Sequence, residues 1–249
     1  PRSFYLLRLL MRELEYDIFN LPSAIMMEHK MTPEVIQTLN TYLDKELKNP
    51  NKQSLSGDLV GQIHRGQQLV MDFKCDALKD FSLMTENLGV AYLRHFVQQS
   101  GTMIKAKQVL VDKLWSVHSY EGDYNPIHDH LTASPMGISF TTWTKVPEQI
   151  GKTPDGKEIK DFSLYNSSGA IDGFINFTYG LNQTGDPERL RPSQSRYVKP
   201  EEGKLLLFPS WMQHAVYPFF GEGERRTVAG NMNCFDVTEE QMKELDDGV

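Results

Sequence analysis

Apolar residues follow a helical spacing in the first part of the chain and an alternating one in the second. Between Thr32 and Asn49 they recur every three or four residues, which predicts a helix capped by Thr32. A second helical stretch is predicted from about Leu78 to Gln98. Up to about residue 107 the pattern therefore indicates mostly helix.

From Gln108 onward, short runs of alternating apolar and polar residues are separated by turn-forming Gly, Pro, Asn and Asp. The predicted strands are Lys113–Tyr120, Gly137–Val146, Gly173–Phe177, Lys204–Phe208, His214–Pro218 and Thr227–Cys234. Strands that follow packing helices favour a mainly β fold with N-terminal helices. We expect a double-stranded β-helix, of the jelly-roll or cupin-like type, braced by those helices.

The length of 249 residues, with 39% hydrophobic content, suits one large core. We predict a single domain over residues 1–249. Residues 1–107 would form a mostly helical support region, residues 108–237 the jelly-roll core, and residues 238–249 a C-terminal tail. The polar segments 147–169 and 180–200 exceed ordinary turn lengths and predict loops or lids over the barrel mouth. We assign no function to residues 1–16.

Composition restricts the class of protein. A formal net charge of -7 argues against nucleic acid as a partner, because a broad basic face would be needed to neutralise phosphates. The two cysteines, Cys75 and Cys234, are too few for a disulfide framework and predict a cytoplasmic protein. No run approaches the roughly 18 apolar residues of a membrane helix, and no signal peptide is seen. The N-terminal helices could pair between two copies, so the sequence is compatible with a homodimer.

Three histidines in two short segments predict a metal site. His128 and His130 form a His-x-His pair, whose side chains point to one side if the segment is extended. His214 directly follows an apolar strand and can complete a facial set with open coordination positions. Asp129 would point away and accept a proton from a ligand imidazole. The remaining histidines have no such companions and are expected to be structural: His29, His64, His95 and His118.

A cation can be placed near that site by the same alternation. Arg225 comes eleven residues after His214, far enough for a strand, a turn and a return to the same interior. Its guanidinium can bind a carboxylate through two parallel hydrogen bonds. Thr227 and Asn231 share its face of the strand, and Arg226 then points outward. The alternative is that Arg225 pairs with a surface carboxylate, Glu222 or Glu224.

Several motifs resemble the 2-oxoglutarate/iron(II)-dependent oxygenases. They are DYNPIHDH at residues 123–130, EGKLLLFPSWMQH at 202–214 and GERRT at 223–227. The nearest resemblance is to a poorly characterised bacterial and phage group akin to prolyl hydroxylases, and it spans about Leu114 to Phe235. It implies Fe(II) as the metal and 2-oxoglutarate as cosubstrate, which is decarboxylated to succinate while a small-molecule or peptidyl substrate is hydroxylated.

The resemblance also assigns roles to residues. It implies His128, His130 and His214 as metal ligands. The superfamily carries a carboxylate where this chain has His130, so ligation by Asp129 instead remains open. The family's arginine-x-serine anchor corresponds to Arg225-x-Thr227. The further expected contacts to the cosubstrate and metal zone come from Tyr124 and Asn231.

Other functions remain compatible with three histidines in a β scaffold. A zinc enzyme or a cupin-type dioxygenase would use the histidines without 2-oxoglutarate. In a jelly-roll binding protein without enzymatic activity, the histidines would be residual. Three arginines of the second long segment are expected to be solvated or to face an acidic or peptide substrate: Arg189, Arg191 and Arg196. The substrate itself cannot be read from the sequence.

Overall fold

The computed structural model of the chain describes residues 24–58, 63–101, 104–105, 107–153, 155–159, 170–181 and 193–237. Residues 1–16, Arg189, Arg191 and the predicted tail at 238–249 lie outside these ranges. The single-domain boundaries stay a prediction.

Both expected helices are present. Helix α1 spans Pro33–Lys48 and helix α2 spans Lys79–Ser100. Thr32 is the N-cap residue of α1 and has extended backbone, but its side chain makes no capping hydrogen bond, so that detail of the prediction is wrong. Helix α2 ends at Gly101, whose left-handed φ of 64° suits glycine.

Ten strands lie in the described part of the chain. They are β1 Met27–Lys30, β2 Gln67–Val70, β3 Lys107–Ser119, β4 Asn125–His128, β5 Gly137–Lys145, β6 Ile175–Thr178, β7 Ser195–Val198, β8 Lys204–Pro209, β9 Gln213–Val216 and β10 Arg225–Asp236. The six predicted strands correspond to β3, β5, β6, β8, β9 and β10. The other four contain four residues each and were not predicted. Strand β7 falls inside the segment expected to be a loop, so that expectation is wrong for its last part.

The strands form two antiparallel sheets. One has the order β1-β8-β5-β10-β3-β2 and the other β4-β9-β6-β7. Alternation along β8 shows how they pack. Leu205 and Leu207 join the core cluster that includes both helices, while Leu206 and Phe208 pack with residues of the smaller sheet. The helices thus cover the outer face of the larger sheet, which confirms the expected jelly roll braced by helices.

Two further observations concern the state of the cysteines and the presence of membrane-spanning helices. Cys75 and Cys234 are both free thiols. Neither of the helices described here has the length and apolar character needed to cross a membrane.

Gly230 is a tight packing point at the centre of the larger sheet. A Cβ atom there would lie 2.4 Å from Cζ of Phe140 and 2.7 Å from the backbone oxygen of Lys113. We predict that Gly230→Ala lowers the free energy of unfolding by about 1–3 kcal/mol, because the ring and the sheet must shift. Gly57→Ala is the matched control, since nothing lies within 4 Å of its Cβ position. Urea unfolding measures both; equal stability of the two variants would contradict the packing.

Candidate metal centre

Strands β4 and β9 bring the three histidines together. His128 lies opposite His214 in the register of these strands, with ring centroids 4.2 Å apart. His130 follows the end of β4, where its backbone N–H donates to the carbonyl of Ser210 at 3.0 Å. One ring nitrogen of each histidine lies within 4.8 Å of the others, the spacing of a set that could hold a metal ion. Asp129 is exposed and is not part of this group.

Hydrogen bonds select the ring nitrogen that each histidine can offer. Nδ1 of His128 contacts the carbonyl of Pro126 at 2.7 Å, and Nδ1 of His214 contacts that of Met212 at 3.1 Å. Nδ1 of His130 contacts Oδ1 of Asn231 at 2.9 Å. Each Nδ1 therefore carries the proton, which leaves the lone pair on Nε2 for a metal. These oxygens, rather than Asp129, accept the imidazole protons, so the role predicted for Asp129 is wrong.

Burial keeps the three imidazoles neutral. Desolvation lowers the pKa of His128, and it lowers the pKa of His130 to about 4 and that of His214 to about 3, where repulsion among the rings adds to it. All three lie below physiological pH. Because a metal binds only the neutral ring, the cluster is in its ligand form before any ion arrives.

The histidines open into a cavity between the two sheets. Arg225 and Thr227 line it from β10, and Tyr124, 39% exposed, lines its mouth. Trp115 lies edge-on to His130 with centroids 5.3 Å apart. The remaining walls are mostly apolar: Ile63, Val117, Phe140, Ile175, Phe208 and Val216. Asn231 reaches this site only through its bond to His130. The structure therefore brings together every residue predicted for the site.

Arg225 is the unusual charge in this cavity. Its side chain is 1% exposed, and its Nη1 donates to the carbonyls of Gly173 at 2.8 Å and Tyr217 at 2.9 Å. Its Nε is buried without a hydrogen-bond partner. Burial lowers the pKa of Arg225 to about 10, an effect that Asp123 partly opposes. Within the described residues no carboxylate lies within 4.0 Å of it, so the alternative pairing with Glu222 or Glu224 is wrong.

Arg226, by contrast, has its own counter-ions. It lies on the opposite face of β10, as expected, but helix α1 covers that face and leaves the side chain only 2% exposed. Its guanidinium bonds Glu224 at 2.8 Å and Asp44 at 2.8 Å. Glu224 also contacts Nδ1 of His118 at 2.6 Å. The prediction that Arg226 points outward is thus corrected: it points away from the cavity, not into solvent.

Comparison with known families bears on this site. The sequence profile of the family described as "Putative 2OG-Fe(II) oxygenase" matches residues 113–231, which contain all three histidines and Arg225. This segment, just under half of the chain, carries the sequence pattern of the 2-oxoglutarate/iron(II)-dependent oxygenases. Searching the curated proteins gave no match to this chain.

Solved structures share the fold of this chain at low sequence identity. A prolyl-4-hydroxylase from Pseudomonas putida is 12% identical, with a TM-score of 0.52 over 85% of this chain and 92% of that one. HygX from Streptomyces hygroscopicus, solved with nickel, 2-oxoglutarate and hygromycin B, is 10% identical, with a TM-score of 0.52 over 85% and 83%. The epimerase SnoN of nogalamycin biosynthesis is 11% identical, with a TM-score of 0.53 over 86% and 79%.

The sequence analysis gave no role to one polar residue that contacts the histidines. Asn125 lines the wall beside the histidines, and its Nδ2 lies 3.2 Å from Nε2 of His128. Asn125 stands three residues before His128, and in a regular strand that spacing places the two side chains on opposite faces. They lie close together because the register of β4 is irregular between these residues, which the sequence does not reveal.

The ion network behind the cavity has a pH signature. Burial would raise the pKa of Glu224, but hydrogen bonds from His118 and Arg226 outweigh it and lower that pKa from 4.5 to about 2. Its stabilising effect is therefore complete above pH 4.5 and is lost as pH falls towards 2. We predict that Glu224→Gln lowers the free energy of unfolding at pH 7 by roughly 2–3 kcal/mol, and that its difference from wild type shrinks below pH 4.5.

Denaturant unfolding at several pH values measures this effect. The exposed neighbour Glu222, changed to Gln, is the matched control and should follow the wild-type profile. A constant difference between wild type and Glu224→Gln from pH 7 to pH 2 would show that the carboxylate does not act through its ionisation.

Proposed function

We propose that this oxygenase binds Fe(II) through Nε2 of His128, His130 and His214 and binds 2-oxoglutarate through Arg225. In this proposal it hydroxylates a small molecule or a peptide. Three neutral imidazoles with free Nε2 atoms match the donor set that Fe(II) accepts and leave coordination positions open. The donor set and the buried cation therefore both fit the metal and cosubstrate of the superfamily.

The guanidinium of Arg225, which has no anionic partner among the described residues, carries the proposal. A buried charge without an anion is costly, and its orphaned Nε adds the cost of an unmade hydrogen bond. A carboxylate that enters the cavity would remove both costs through charge-assisted bonds. A dicarboxylate can do so while its other end reaches the metal, since the histidines line the same cavity.

Neighbouring side chains have supporting roles. Thr227 precedes Ala229 on the cavity side of β10 and can donate its hydroxyl to the carboxylate bound by Arg225. Tyr124 can donate its phenolic proton from the mouth. Asn231 fixes the tautomer and orientation of His130 through its Oδ1.

Bound iron with 2-oxoglutarate and oxygen supplies the oxidation, in which succinate and carbon dioxide are formed. The chain's own part is to orient and to exclude water. Apolar walls such as Trp115 and Phe208 keep the cavity dry, which strengthens the ionic contact to Arg225. Three neutral ligands leave the iron more positive than two histidines and a carboxylate would, and this favours an anionic cosubstrate.

Two kinds of relative support the reaction and the substrate class. The similar fold of a prolyl-4-hydroxylase supports hydroxylation of a peptide, and that of HygX, solved with hygromycin B, supports a small molecule. A zinc hydrolase, a cupin-type dioxygenase or a binding protein would leave Arg225 without a use. Arg225 therefore favours the 2-oxoglutarate reaction over these alternatives.

Succinate formation tests the cosubstrate anchor. Wild-type protein with Fe(II), 2-oxoglutarate and oxygen should release succinate, and Arg225→Ala should lower kcat/KM for 2-oxoglutarate at least 100-fold, because a charged hydrogen-bonded contact is lost. Arg225→Lys keeps the charge without the planar fork and should give an intermediate loss.

Arg94→Ala, on the exposed face of α2, is the matched control and should keep wild-type rates. Absence of succinate from the wild type would refute the proposed function. Wild-type rates in Arg225→Ala would refute the anchor.

Metal content tests the ligand set. His214→Gln should lower the affinity for Fe(II) or Mn(II) at least 100-fold, since two remaining imidazoles hold a divalent ion poorly. His95→Gln, on the exposed side of α2, should bind as wild type. Equilibrium dialysis followed by elemental analysis measures both. Equal metal binding by the two variants would remove His214 from the ligand set.

A further inference from the structure

Asn125 is a polar side chain in the cavity that no role above uses. It starts strand β4, and its Nδ2 lies 3.2 Å from Nε2 of His128, the nitrogen assigned to the metal. Its Oδ1 is buried and has no hydrogen-bond partner. An amide oxygen can only accept a hydrogen bond and so cannot bind a carboxylate; the N–H of Asn125 is therefore the group available to an anionic ligand.

The direction of the Asn125 contact follows from the histidine tautomer. Because Nδ1 of His128 donates to Pro126, the neutral ring has only an acceptor at Nε2. The amide group of Asn125 must therefore be the donor. A metal ion on His128 would take the same lone pair, so the amide N–H would have to find another acceptor.

Strand register shows where the side chain of Asn125 lies in the cavity. His128 is opposite His214, and Asn125 is opposite Val216, the next pair along β4 and β9. The carbonyl of the following residue, Tyr217, accepts a hydrogen bond from Arg225. Asn125 thus lies between the histidines and the arginine, beside the path that a dicarboxylate would span.

We propose that Asn125 binds the metal-proximal end of the cosubstrate. Its amide N–H donates to His128 in the free protein and to the chelating carboxylate of 2-oxoglutarate when metal and cosubstrate are present. This inference rests on the proposed function, and it adds a binding residue between its two anchors. Asn125 is thus a positioning contact for the cosubstrate, not a metal ligand.

The test is equilibrium binding, free of any turnover. Mn(II)-loaded protein is titrated with 2-oxoglutarate by calorimetry, and Mn(II) affinity is measured separately by competition with a chelator. For Asn125→Ala we expect the Kd for 2-oxoglutarate to rise about ten-fold or more, the usual effect of losing a bond to a charged group. The Kd for Mn(II) should stay equal or fall, since a competing donor on His128 is gone.

Asn125→Asp provides a second variant of the same shape. Its added negative charge should strengthen Mn(II) binding and weaken 2-oxoglutarate binding further than alanine does, because two carboxylates repel. Asn176→Ala is the matched control. Asn176 lies on β6 of the same sheet, contacts Thr178 and does not line the cavity, so both affinities should be those of wild type.

The outcomes separate the inference from the function beneath it. If wild-type protein with Mn(II) does not bind 2-oxoglutarate, the proposed function fails and the inference with it. If wild type binds and Asn125→Ala binds within three-fold of it, the inference alone is overturned. A ten-fold loss of Mn(II) affinity in Asn125→Ala also overturns it, because Asn125 would then only support His128.

Discussion

A buried guanidinium with no carboxylate beside it, in the part of the chain that the structure describes, is the constraint on which the rest of this structure depends. Arg225 is tied to two backbone carbonyls, which fix its position but do not neutralise it. Such a charge is unfavourable in the free protein unless an anion enters. The cavity that would admit this anion is also lined by three neutral imidazoles. One ligand could therefore contact both the guanidinium and a metal ion on the histidines.

Alternation along β10 explains how one strand supports both folding and function. Arg225 faces the cavity and has no counter-ion in the described ranges, whereas Arg226 faces helix α1 and is neutralised by Glu224 and Asp44. Strand β8 divides its leucines in the same way between the helices and the second sheet. The outer face of the larger sheet thus packs against the helices, and the inner face both packs against the second sheet and lines the cavity.

The sequence predicted six of the ten strands in the described part of the chain, and it predicted that His128, His130 and His214 meet near Arg225, because both depend on strong local patterns. Six strands showed alternation, and His128, His130 and His214 stood at a recognisable spacing. The four strands that were missed, β1, β2, β4 and β7, contain four residues each and showed no readable periodicity, although β6 and β9 are equally short and were predicted. The burial of Arg226 was missed because alternation assigns a face but not what covers it, and Asn125 was missed because its role depends on an irregular strand and on the tautomer of His128.

A crystal structure with Mn(II) and 2-oxoglutarate, grown without oxygen, would test the central claim most directly. We expect one ion on Nε2 of the three histidines and a carboxylate of the same 2-oxoglutarate on the guanidinium of Arg225. An ion held elsewhere, or a cosubstrate whose carboxylates both avoid Arg225, would contradict it.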